Sequence, residues 1–268
     1  MFRISVLLWL ALAQSAIAAP ASILWDKWTA HDRASEQTVD HAVWDAFLVS
    51  RVQRDASGIN RIAYASVSVA DKAFLADYIA SLEAVRVSGL NRAEQLAFWI
   101  NLYNALTVKL VLDHYPVNSI RDIKPWFLAW GPWGEKLARV ENEHLALDDI
   151  EHRILRPIWR DARIHYAVNC ASVGCPNLQA QAFTAAATER MLDRAAREFI
   201  NHGRAVAFID GKLVVSSIYE WFKEDFGGSD QGVIEHLRRY ASRELAGRLA
   251  DVRRIDDDRY DWRLNNAY

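Results

Sequence analysis

Residues 165 to 178, HYAVNCASVGCPNL, contain the only two cysteines of the 268-residue chain, Cys170 and Cys175, with His165 five positions before the first and Pro176 directly after the second. As a thiolate, Cys170 could attack an acyl or a disulfide centre if a neighbour stabilises it, because an isolated thiol ionises only near about pH 8.5. His165, or His152 brought close by folding, is the candidate to take the proton. Asn101 and Asn104 lie three residues apart and so share a helix face, where either could orient that histidine or steady an oxyanion. The bland alternative is a Cys170–Cys175 disulfide that pins a tight loop and adds less than the about 3 kcal/mol of a 15-residue loop. In that case His165 makes one satisfied hydrogen bond, and the protein is a binding or scaffold module. Thiol-disulfide exchange stands between the two readings, although four intervening residues are not Cys-x-x-Cys and no βαβ unit precedes them. Zinc held by both cysteines with His165 and His152 fits no standard spacing, so no metal and no cofactor is expected.

The compartment bears on this choice. The chain opens MFRISVLLWLALAQSAIAAPAS, with one basic residue, Arg3, an apolar run from Ile4 to about Ala13, and small residues up to Ala18. That is the pattern of a signal peptide over residues 1–18, and it predicts an exported protein, periplasmic in a Gram-negative source and otherwise secreted. An even cysteine count in an oxidising compartment favours a disulfide. The whole chain carries 32 basic and 34 acidic residues, a net charge of −2, one more negative once Arg3 is removed. No basic cluster reads as a nucleic-acid footprint, and no apolar run beyond the leader approaches the roughly 20 residues of a spanning helix. The expected partner is a small molecule, a peptide or an envelope component.

Helices must position these residues. Segments 39–54 and 69–86 place apolar residues at helical spacing. NRAEQLAFWINLYNALTVKLVLDH (91–114), capped by Asn91 and stopped before Pro116, is apolar almost all round and is therefore expected to be the buried centre of the fold. Its two asparagines must then find hydrogen-bond partners, either neighbouring backbone or a polar site. Trp126, Trp130 and Trp133 crowd a Gly-Pro turn and are candidate binding residues, with a second cleft expected near Trp221 and Trp262. Asp148 and Glu151 have capping-box spacing at the start of a helix. The alternation of residues 164 to 169 predicts a short strand with Cys170 at its end. A helix over 182–202, a hairpin turning at Asp210-Gly211, a helix over 217–228 ended by glycine, one helix from Asp230 to about Leu249, and a final strand complete the pattern. The class is α+β, a helix-rich single domain with a small, mainly antiparallel sheet. An N-terminal helical extension, 19–62, is expected to pack on the main domain, 63–268.

AFWINLYNALTV, LALDDIEHRILR, RIHYAVNCASVGCPNL, SIYEWFKEDFG and YDWRLNN, in this order, resemble the uncharacterised family called domain of unknown function 547, over about residues 91–266. The resemblance implies a pattern of Asn101, Asn104, Glu151, His152, His165, Asn169, Cys170, Cys175, Pro176, Trp221, Asp225, Asp261 and Asn265. It implies bacterial exported members and parts of larger plant and animal proteins, some of which carry a glutaredoxin-like module, which suggests thiol chemistry. A distant likeness to papain-like and transglutaminase-like thiol enzymes fits a cysteine-dependent hydrolase or transferase. Those enzymes, however, place the nucleophile at the start of the central helix, where this chain has no cysteine.

Overall fold

A helix that is apolar on every side has to be surrounded, and Arg92–His114 is. Every residue from Glu94 to Val108 is buried, and Asn91 Oδ1 accepts the Glu94 N–H at 3.0 Å as the N-cap. The computed structural model describes residues 20–126 and 129–267, so the expected leader lies outside the described residues.

In chain order, α1 (Ala42–Arg51) runs into the hairpin β1–β2 (Val52–Arg54, Asn60–Ile62), and α2 (Val69–Glu83) precedes the central helix α3 (Arg92–His114). The hairpin β3–β4 (Ala138–Val140, Glu143–Leu145) leads to a π-helical stretch, Asp149–Leu155, that continues as α4 (Arg156–Trp159), and a 3-10 helix, Ala162–Tyr166, introduces the cysteine segment. Then come α5 (Thr188–Ile200), the hairpin β5–β6 (Val206–Ile209, Lys212–Ser216), α6 (Ile218–Trp221), a 3-10 turn (Lys223–Phe226), α7 (Asp230–Tyr240), α8 (Arg243–Leu249) and β7 (Asp257–Arg259). All three hairpins are antiparallel, and β7 joins β6 in parallel, with Val215 opposite Asp258. The architecture is the expected α+β one. The β5–β6 turn is the one expected from Asp-Gly: Ile209 pairs with Lys212, while Asp210 and Gly211 take φ of 50° and 78°.

Two apolar cores share the molecule. The larger surrounds α3 and includes Trp28, Trp44, Phe47 and Leu48 from the N-terminal part of the chain, with Trp28 edge-on to Trp99 at 5.0 Å. The smaller joins α5, the β5–β6 hairpin and α7 through Phe199, Val215, Tyr219 and Leu237. The 3-10 helix Ala162–Tyr166 crosses the seam, since Ile164 belongs to the first core and Tyr166 to the second. His165 is thereby placed between them.

Several expectations need correction. Residues 162 to 166 are a 3-10 helix, not a strand, begun by Asp161, whose side chain accepts the Arg163 N–H. Alternation misled because residues 164 to 169 are all buried, leaving no solvent face for a two-residue period to mark. Asp148 does not cap, and Glu151 is no capping-box partner, because the chain there is already helical at Asp148 and winds as a π-helix. The single helix expected from Asp230 is two, divided where Ser242 caps α8 through the Leu245 N–H. The helix expected over 217–228 is α6 and a 3-10 turn, ended as anticipated by Gly227 at φ 100°.

Three histidines are folded into these cores uncharged. Burial pushes His41, His152 and His236 from 6.5 down to about 4. Their depressed values stabilise the fold fully above about pH 6.5, and that contribution is lost as pH falls through 6.5 towards 4, where the unfolded chain binds the protons first. Thermal melting should therefore drop steeply between pH 6.5 and 4. A melting temperature that stays level across that window would refute this account.

Candidate functional site

The cysteine segment is held by the helix it lies on. Asn104 Nδ2 donates to Ala167 O (2.9 Å) while Asn104 Oδ1 accepts the Asn169 N–H (2.8 Å). One turn earlier Asn101 does the same to Phe183, donating to its carbonyl (2.7 Å) and accepting its N–H (3.0 Å). Both amides thus tie backbone, and neither reaches a histidine. Asn169 folds the next residues into a turn: its Oδ1 accepts the Ala171 N–H (2.9 Å) and its Nδ2 donates to Pro176 O (2.7 Å). Ala171 sits at φ 58°, a left-handed conformation that costs a non-glycine residue about 1–3 kcal/mol. A C-terminal strap closes over the loop, with Val173 N donating to Arg263 O, Gly174 N to Asp261 O and Asn265 N to Ala171 O. Gly174 is required for that approach, since a Cβ there would lie 2.7 Å from the Asp261 nitrogen.

Within this loop the two sulfurs stand 2.9 Å apart as free thiols, so the expected disulfide is not formed. Cys170 is half-buried and Cys175 is buried. Around Cys170 Sγ lie the Cys175 thiol, the Tyr260 hydroxyl at 3.0 Å and the Ser172 hydroxyl at 3.3 Å. The two hydroxyls are 2.7 Å from each other, so Ser172 can donate to Tyr260 while Tyr260 donates to sulfur. Hydrogen bonding from Cys175, helped by Ser172 and Tyr260, holds the Cys170 thiol below its ordinary value against the opposing effect of burial. Burial and the neighbouring Cys170 push Cys175 well up. Among the described residues no histidine hydrogen-bonds either sulfur.

The histidines belong to an adjoining network. His165 Nε2 donates to Asp225 Oδ2 (2.7 Å), and its Nδ1 faces Glu151 Oε1 (3.5 Å). Its ring is stacked on Phe222 at 4.2 Å. Arg156 Nε donates to the same Asp225 oxygen (2.6 Å), and Tyr103 donates to Glu151 Oε2 (3.0 Å). Although burial opposes charge on the ring, Asp225 and Glu151 raise His165 above its ordinary value. Both carboxyls are held at about 2, against burial: Glu151 by His152, His165 and Tyr103, and Asp225 by His165 and Arg156. His165 is thus an imidazolium locked between two carboxylates. His152 accepts from Arg156 Nη1 at 3.1 Å and lies 3.6 Å from Asp148. The network also acts on the thiol site, because the Glu151 charge opposes ionisation of Cys170.

Three of the five candidate tryptophans, Trp133, Trp221 and Trp262, join Tyr260 in an aromatic cluster that ends at the sulfur, and Arg121 links Trp130 to it. Trp130 is 50 % exposed and stacks on Arg121, whose guanidinium also lies over Trp262 at 5.2 Å. Trp133 meets Trp262 edge-on at 5.7 Å, while Trp221, Tyr260 and Trp262 lie within 4.6–5.5 Å of one another. Trp126 is exposed, at 58 %, farther along the loop. Tyr260 joins this surface to Cys170. It stands beside Asp261 and Trp262 in YDWRLNN, and Ser172 sits inside the cysteine segment itself, so both lay next to singled-out residues. Nothing in their types marked them as thiol partners. Among the described residues no group of three or more His, Cys, Asp or Glu is placed to hold a metal ion.

Asn104→Ala strips partners from a buried carbonyl and a buried N–H, and should cost about 1–3 kcal/mol in denaturant unfolding. Tyr260→Phe should leave stability nearly unchanged but move the pH profile of Cys170 alkylation upward, since it removes a donor to the thiolate. An unmoved profile would count against the hydroxyl's role.

No curated protein matches the chain, and no solved structure does. The order of the papain-like enzymes is not found either: the start of the central helix, where those enzymes carry the nucleophile, has no cysteine, and its asparagines, farther along, are bonded to backbone. Residues 87–200 do match a family, and the matched stretch contains α3, the π-helix with Glu151 and His152, His165 and both cysteines. That stretch matches the uncharacterised family described as protein of unknown function, DUF547.

Proposed function

We propose that the protein performs thiol-disulfide exchange after export, with Cys170 as the attacking thiolate and Cys175 as the resolving thiol. The observation that carries this reading is the asymmetry of the pair: a half-buried sulfur with Cys175 and Tyr260 as donors, and Ser172 behind Tyr260, faces a buried, protonated sulfur 2.9 Å away. The thiolate is the nucleophile in such exchange. Cys170 attacks one sulfur of a substrate disulfide, forms a mixed disulfide, and releases the other sulfur as a thiolate. Cys175 then attacks Cys170, closing a Cys170–Cys175 bond and freeing the second substrate thiol. The protein dithiol is oxidised by two electrons and the substrate disulfide is reduced by two, and the reverse reaction oxidises a substrate dithiol. A Cys170–Cys175 disulfide is then one end of a cycle, not a permanent staple. Acyl transfer has less support, because the one histidine with raised proton affinity is committed to Asp225 and Glu151. The aromatic surface from Trp130 to Trp221 supports a disulfide-bearing polypeptide as substrate, since it presents ring faces leading to the attacked sulfur.

Alkylation of the reduced chain near neutral pH, read by intact mass, should label one site, and Cys170→Ala should abolish that label. Cys175→Ser, mixed with glutathione disulfide, should accumulate a mixed disulfide on Cys170 that the parent chain resolves. A pair that cannot be reduced without unfolding the protein, or a Cys170 that alkylates no faster than free cysteine, would overturn the proposal.

A further inference from the structure

Arg204 follows α5 and reaches under the cysteine loop. Its Nη1 donates to Val173 O (2.9 Å) and its Nη2 to Asn177 Oδ1 (2.6 Å), while its Nε is buried with no partner among the described residues. Both partners are neutral. Among the described residues no carboxylate stands within ion-pair distance of this guanidinium, a costly arrangement for a charge removed from water. The ionisable groups that face it are few. Asp55 and Arg61 are paired with each other at 2.5 Å, so their effects largely cancel. His202, kept below its ordinary value mainly by burial, accepts the Arg204 backbone N–H on its ring. What remains is the loop itself: Val173 and Asn177, which the guanidinium holds, stand two residues before and two after Cys175, so an uncompensated positive charge lies beneath the position of that thiol, and Cys175 and Tyr260, once ionised, are the groups that would offset it.

We infer that Arg204 is the counter-charge of Cys175 in the resolving step, anchored by the Val173 carbonyl and the Asn177 side chain beneath the loop that carries both sulfurs. This inference rests on the thiol-exchange reading above. In the resting dithiol the Cys170 thiolate takes the hydrogen bond of Cys175 and keeps it protonated. Once Cys170 is bound in a mixed disulfide its negative charge is gone, and the guanidinium is left facing a thiol that has to ionise. Cys175 loses its proton to solvent, its sulfur bonds to Cys170 Sγ, the bond from Cys170 to the substrate sulfur breaks, and the substrate leaves as a thiolate that takes up a proton. Arg204 touches no substrate atom and is a positioning residue.

The test is a single turnover of the reduced full-length chain with glutathione disulfide, quenched and read by intact mass, across pH 6 to 10. Arg204→Met should form the mixed disulfide at the parental rate but resolve it about 10-fold more slowly at pH 7, with the pH profile of resolution displaced upward by about one unit. Arg204→Lys keeps the charge and should keep the parental profile even if the rate falls. A Met variant with the parental profile, or Met and Lys variants displaced equally, would overturn the assignment. If the parent chain forms no mixed disulfide at all, the thiol-exchange reading itself falls.

Discussion

An amide side chain buried in an apolar helix has to satisfy a donor and an acceptor at once, and Asn104 does so on a single neighbouring segment, through Ala167 O and the Asn169 N–H. With both ends engaged, that segment has no freedom to slide or rotate on α3. Everything chemical follows from the anchorage. Asn169 turns the chain directly after it, Ala171 accepts a left-handed conformation, and the turn brings residue 175 back against residue 170. Asn101 holds the far side of the same region at Phe183. A helix that looked like a candidate source of catalytic amides is instead the bed on which the loop is laid.

The site divides electrostatically into two halves that share Glu151. On one side a sulfur is stabilised by neutral hydroxyl and thiol donors; on the other an imidazolium is sealed between carboxylates and backed by an aromatic ring. The arrangement separates roles often combined in thiol enzymes, where a histidine next to the cysteine both accepts its proton and stabilises the thiolate. Here the histidine neutralises buried carboxylates, and hydroxyls stabilise the sulfur. A buried charge chain that includes Arg156 spans the seam between the two cores, and removing one member would leave its partner uncompensated.

Much of this was legible in the chain and some was not, for physical reasons. The central helix announced itself because apolarity around its whole circumference admits only one environment, and the Asp-Gly hairpin because its turn needs two residues at positive φ. The cysteine segment was legible as a site and illegible as structure, since its alternation was that of a stretch buried on every side. Glu151 was misread as a cap because its spacing from Asp148 suits an α-helical start, whereas the chain winds as a π-helix that aims the carboxylate at Tyr103 and His165. Tyr260 could not have been found by spacing at all: 90 residues separate it from Cys170, and only the strap over Gly174 brings them together.

That close approach at Gly174 bears on modularity. The family match lies in residues 87–200, but the groups that complete the thiol pocket and the aromatic surface, Trp221, Tyr260 and Trp262, as well as Asp225, one of the two carboxylates facing His165, lie beyond it. The core beneath also draws on Trp28, Trp44 and Phe47, far upstream. The matched stretch is therefore a recognisable signature rather than a transplantable part: grafted elsewhere without the strap, it would bring the two sulfurs but not the tyrosine that tunes one of them.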